Sequence, residues 1–176
     1  MRLSLIAVVM FSLLCAATLH AAPLDDARAL LRAGQPEQAL KQLDAHTAAH
    51  PEDTQARFLK GVILTEQGNP EAAIQVFLAL TREYPELPEP YNNLAVLYAG
   101  RGDYRAARDA LDMAVRVKPD YATAYENLGD IHVLLASQAY EKALSLDGAN
   151  RSARGKLALA RDLAAYTPPA ASKIAP

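Results

Sequence analysis

The sequence predicts an all-α chain in which pairs of short helices recur and stack as an α/α superhelical solenoid. Three observations carry that prediction. Residue types recur at an interval of 34 along much of the chain. Alanine makes up about one residue in five, which suits closely packed helices better than sheets. From residue 125 to residue 146 apolar or near-apolar side chains keep the 3-and-4 spacing of a helix face.

The 176 residues are 51% apolar and 22% charged, enough for one domain of ordinary size. A formal charge of −2 argues against a protein that holds nucleic acid by its phosphates. A single cysteine excludes a disulfide scaffold and a cysteine-based zinc site.

The first element is an address rather than fold. Arg2 supplies one positive charge, Leu3 to Leu19 run without a charged residue, and the chain turns small at Ala21-Ala22-Pro23. That order describes a secretory signal peptide over residues 1–21, removed after Ala21. Leu19 at the third place before the cut departs from the small-x-small rule, and a cut after Ala22 would put His20 there. Two alternatives stand beside cleavage. An uncleaved anchor needs about 20 apolar residues, where this run has 17. A lipidated start needs a small residue before Cys15, where Leu14 stands. The expectation is a mature chain without cysteine, not inserted in a membrane, in an exported compartment such as a bacterial periplasm.

Three units follow, at about 22–53, 54–87 and 88–121. Pro51, Pro85 and Pro119 are 34 apart, as are Gly34, Gly68 and Gly102, and Ala39, Ala73 and Ala107. Leu43, Phe77 and Leu111 form a fourth column, and Leu30, Leu64 and Tyr98 a fifth. Each column has a task in a helix–turn–helix pair. The glycine ends the first helix in a left-handed conformation that a Cβ would penalise. Asn69 caps the second helix, Pro70 takes its first position and Glu71 meets the positive end of its dipole. Ala73 and Phe77 share one face, the small residue admitting a neighbour and the large one filling the space beside it. The closing proline cannot continue a helix.

These columns resemble the tetratricopeptide repeat (TPR) family, whose pattern is W-x2-L-G-x2-Y, then A-x3-F, then P. The third unit matches best, with Tyr91, Leu94, Ala95 and Tyr98 followed by Ala107, Leu111 and Pro119. The second keeps Gly61, Ala73, Phe77 and Pro85 but has Arg57 and Lys60 where the aromatic and the Leu belong, with Phe58 and Leu59 supplying apolar surface there. The resemblance covers residues 24 to 148 and is specific for the fold, not for an activity.

The fourth unit, 122–149, opens correctly with Tyr125, Leu128 and Gly129, but its Ala143 comes five residues early. No helix breaker lies between Gly129 and Gly148, so the spacing predicts one long helix over 122–147, with a kink near Ser137 as an option. A capping helix follows over 150–166, with Ala153, Leu157, Ala160 and Ala164 on one face and arginines on the rest. The Pro- and Ala-rich residues 167–176 are expected to be disordered.

The resemblance implies a concave groove lined by the first helix of each unit, where members of the family bind peptides. On that basis Phe58, Val62, Asn92, Asn93, Val96, Glu126, Asn127 and Asp130 are the candidate peptide-binding residues. The asparagines would grip a peptide backbone, and Glu89, Glu126 and Asp130 would favour a basic end. The plainer alternative is that the valines and Phe58 pack between repeats and the asparagines orient helices. Chaperone-binding members of the family clamp a terminal carboxylate with Lys or Arg, and that pair is absent here.

Catalytic patterns are missing. His46 and His50 stand four apart without the Glu of a metalloprotease helix, and read as structural or surface residues. His132, at the place of the family's second aromatic, reads as a core residue. Arg101-Gly102-Asp103 is the repeat's own turn. No G-x-S-x-G or complete dinucleotide loop occurs, and no cofactor is expected. The sequence therefore predicts a non-enzymatic adaptor for a protein or peptide partner in the cell envelope. Its rival is an assembly protein that forms a homodimer through the long fourth-unit helix.

Overall fold

A computed structural model describes residues 21–166, so the signal-like start and the expected disorder of 167–176 lie outside the described residues. Among them are eight helices and no strand: α1 Ala21–Arg32, α2 Pro36–Ala49, α3 Thr54–Glu66, α4 Pro70–Glu83, α5 Pro88–Gly100, α6 Tyr104–Val117, α7 Ala122–Leu146 and α8 Arg151–Ala165. The predicted all-α class is the observed one. Two compact units divide at Ile63–Leu64.

Unit 1 pairs α1 with α2 and adds α3 as far as Ile63. Leu24 and Ala27 of α1, Ala39 and Leu43 of α2, and Ala56 and Ile63 of α3 form its core, with Leu59 packed against it. His46 Nε2 meets Asp53 Oδ2 at 2.8 Å, and Asp53 in turn accepts the Ala56 backbone N–H at 3.0 Å. One side chain of α2 thus holds the cap of α3.

Unit 2 runs from α4 to α8, each helix packed on the next. Its core takes Ala73, Phe77 and Leu80 from α4, Leu94 and Ala95 from α5, Ala107, Leu111 and Ala114 from α6, Ala124 and Ile131 from α7, and Leu157 from α8.

The turn glycines behave as their column predicts. Gly34, Gly68 and Gly102 have φ of 72°, 71° and 77°. The amide after each reaches back to Leu30, Leu64 or Tyr98 at 2.9 Å, so that column marks the carbonyl closing the turn. Asn69, Asp103 and Asn150 accept the Ala72, Ala106 and Ala153 amides, capping α4, α6 and α8. The residue before each proline, His50, Tyr84 or Lys118, donates its amide to His46, Leu80 or Ala114 and ends the helix.

α7 is the single 25-residue helix that its lack of breakers predicts. It runs through Ser137, whose hydroxyl donates to the Val133 carbonyl at 3.0 Å. Two expectations need correction. His132 is exposed rather than in the core, because no second helix of its own unit folds back over it. The capping helix α8 buries Ala153 and Leu157, yet it also exposes Leu159 and Leu163 and so is not wholly solvating.

Candidate functional site

The candidate residues fall in both units. In unit 1, Phe58 is half-buried and Val62 is buried on α3. In unit 2, the others lie on α5 and α7, the first helices of the third and fourth repeats, where the repeat register sets Asn92 against Glu126 and Val96 against Asp130.

The three asparagines are buried. Asn92 and Asn93 are 0% exposed and Asn127 is 6% exposed. Asn127 Nδ2 donates to Asn92 Oδ1 at 2.8 Å, and Asn92 Nδ2 donates to Asn93 Oδ1 at 3.3 Å. A buried amide costs free energy unless it is bonded, and this chain of amides ties α7 to α5. Val96 is buried as well. The plainer reading, in which these residues brace the repeats, is the one their burial supports.

Two of the unit 2 candidates remain reachable. Glu126 is exposed and Asp130, one turn further along α7, is half-buried. Glu89, in the first turn of α5, is half-buried. These acids give the first-helix face of unit 2 a negative edge.

Sequence reasoning passed over Tyr121, the residue before α7. Its ring is half-buried, and its hydroxyl is shut from solvent with no hydrogen-bond partner among the described residues. Burial, with Glu89 adding repulsion, pushes its pKa up to about 12. The Lys118 ammonium lies 5.4 Å from the ring centroid. Its place directly after Pro119-Asp120, with Lys118 just ahead of them, was the only signal in the sequence.

No cluster among the described residues is placed to hold a metal ion. The rings of His46 and His50 are 4.9 Å apart, but His46 is held by Asp53 and His50 Nδ1 lies 3.4 Å from Glu52. No group of three or more His, Cys, Asp or Glu side chains is placed to hold an ion. No described helix is long and apolar enough to cross a membrane.

Repeated helix pairs closed by left-handed glycines and stacked through small-residue faces define a helical-hairpin repeat protein. Two tetratricopeptide repeat family models match the chain, over residues 24–88 and 64–129. The chain belongs to the tetratricopeptide repeat family. Among solved structures it resembles MamA, at 22% identity and a TM-score of 0.60, over 84% of this chain and 90% of that one. It resembles a thermophilic TPR protein of Thermus thermophilus, at 22% identity and a TM-score of 0.58, over 81% of each chain. It also resembles YrrB, described as a TPR protein with an unusual peptide-binding site. That match has 30% identity and a TM-score of 0.53, over 57% of this chain and 52% of that chain. A search of curated proteins found no match.

Proposed function

We propose that the protein is a non-enzymatic adaptor that takes a protein or peptide segment on the first-helix face of unit 2, in the cell envelope after export. One observation carries the choice of site. Within unit 2, Glu126 and Asp130 are the two candidate acids that stay accessible, one turn apart on α7, once the amides beside them are drawn into the packing. A pair of carboxylates at that spacing favours a segment with a basic end. Family membership supports binding as the mode of action, and the peptide-binding site named for YrrB supports a peptide as the ligand. The charge-poor run from Leu3 to Leu19 supports export.

The test is retention of a peptide panel graded in net charge on the immobilised protein. Basic peptides should be held, and Glu126→Lys with Asp130→Lys should release them while the helical circular dichroism signal is unchanged. Equal retention of acidic and basic peptides, or indifference to the double change, would remove the site. Mass measurement of the protein recovered from an exporting host reads the cut after Ala21 directly.

A second reading, assembly of copies through α7, is favoured by one observation: α7 runs unbroken through the place where the preceding repeats turn.

A further inference from the structure

The repeat interval holds up to the start of α7 and then fails. First helices α3, α5 and α7 begin at Thr54, Pro88 and Ala122, and second helices α2, α4 and α6 at Pro36, Pro70 and Tyr104. By that interval the next second helix is due at residue 138 and the next first helix at residue 156. Residue 138 instead lies inside α7, and α8 begins at Arg151, five residues early. The amides that close the helices make the same step. Lys118 donates to Ala114 one full interval after Tyr84 donates to Leu80, but Asp147 donates to Ala143 five residues short of the next interval. The lost residues are the turn. A helix hairpin needs a loop of about 2–5 residues, and the earlier ones are built round a glycine at positive φ. Without one, the two halves of α7 continue as a rod and cannot lie against each other.

Two faces are left open in consequence. On α5, Leu94 and Ala95 are buried, whereas their counterparts on α7, Leu128 and Gly129, are half-buried and exposed, and Tyr125 is 50% exposed. On α6, Ala107, Leu111 and Ala114 are buried from solvent, whereas their counterparts in the shortened register, Ala136, Tyr140 and Ala143, are only half-buried. His132, Val133, Ala136 and Tyr140 of α7, with Leu159 and Leu163 of α8, line an open groove of about 400 Å³.

We propose that a second copy of this chain fills the groove. The first half of one α7 lies against the second half of α7 and α8 of the other copy, and the exchange is reciprocal about a two-fold axis. The two open faces are the two sides of one helix pair, so each copy carries what the other lacks. Charge agrees with that pairing. Residues 122–134 carry Glu126 and Asp130 and no Lys or Arg, while residues 135–166 carry five Lys or Arg against three acids. The arrangement also continues an existing interface, since α5, α6 and the first half of α7 already stack, and the exchanged half-helix takes the next place in that stack. The pairing rests on the assembly reading and competes with the peptide-binding one, because Glu126 and Asp130 lie on the same stretch of α7 as Tyr125, Leu128 and Gly129.

Sedimentation velocity on the full chain, with Gly129→Arg as the variant, tests it. Nothing lies within 4 Å of a Cβ built at Gly129, so a lone chain tolerates the change, whereas a partner helix does not. The expected result is twice the chain mass for the native protein and a single chain mass for Gly129→Arg, at the same helical signal. A native chain that stays single at the highest soluble concentration overturns the assembly reading. A dimer that ignores Gly129→Arg keeps assembly but overturns this interface. A second variant, with five turn residues containing a glycine inserted after Leu134, should close the hairpin within one chain and give a single chain mass. A dimer that survives the insertion and binds as tightly as the native one also overturns the exchange.

Discussion

The side-chain amide of Asn127 donates to Oδ1 of Asn92 at 2.8 Å, joining the first helices of successive repeats by a buried polar contact. Two fully apolar side chains would pack there without direction. A pair of amides bonds in one arrangement only, so it fixes how α7 sits on α5 at the cost of two desolvated groups.

Removing one partner should therefore cost more than the bond itself contributes. Asn127→Ala removes the donor to Asn92 Oδ1 and should lower stability by about 1–3 kcal/mol. A double-mutant cycle of Asn92→Ala and Asn127→Ala should show coupling of about 0.5–3 kcal/mol, read from denaturant midpoints. Additive losses would mean that the contact adds nothing.

Two neighbouring glycines should respond in opposite directions. Gly102 has φ of 77° with open space around a built Cβ, so Gly102→Ala meets backbone strain alone and should cost about 1–2 kcal/mol. Gly100 ends α5 without a positive φ, and Gly100→Ala should stabilise by about 0.4–1 kcal/mol. Thermal midpoints of the pair check both signs.

The Asp53 carboxyl lies below the usual carboxylate range. Burial works to raise it, but the Ala56 amide, the His46 hydrogen bond and the His46 charge together outweigh burial. A carboxylate depressed in the folded state adds stability that is present above its unfolded pKa of 3.8 and is lost as pH falls through the lower folded value. Denaturant midpoints should fall on acidification below about pH 4, and Asp53→Asn should flatten that part of the profile while lowering stability at neutral pH.

Tyr121 gives the opposite slope. Its pKa is raised to about 12, above the unfolded value of 10.0, so its contribution is complete below pH 10 and fades as pH climbs toward 12. Because its hydroxyl bonds nothing among the described residues, Tyr121→Phe should leave stability at neutral pH unchanged or raise it by up to about 1 kcal/mol. It should also remove the latest-ionising tyrosine from a spectrophotometric titration.

What could be read in advance was whatever the chain repeats locally. Gly68, Asn69 and Pro70 specify a stop, a cap and a start within three residues, and the same chemistry returns at Gly102 and Asp103. The unbroken α7 was legible from its lack of any residue able to turn. The candidate site was less so. Asparagine reads as a surface residue, and only the arrival of α7 beside α5 turns Asn92 and Asn127 inward, a contact with no signature in either segment alone. His132 failed for the complementary reason: its pattern position assumes a covering helix that the shortened unit does not fold over it. Of the acids, Glu126 is exposed and Asp130 is half-buried.

The shortened interval at α7 also limits how such a chain can lengthen. A duplicated unit inserted ahead of Ala122 would fall into phase with α4, α5 and α6, and the stack would simply gain a storey. The same unit appended beyond Leu146 would arrive out of phase, meeting side chains that no upstream neighbour shares. The turnless helix thus acts as a terminator for growth by duplication, confining new copies to the stretch ahead of it.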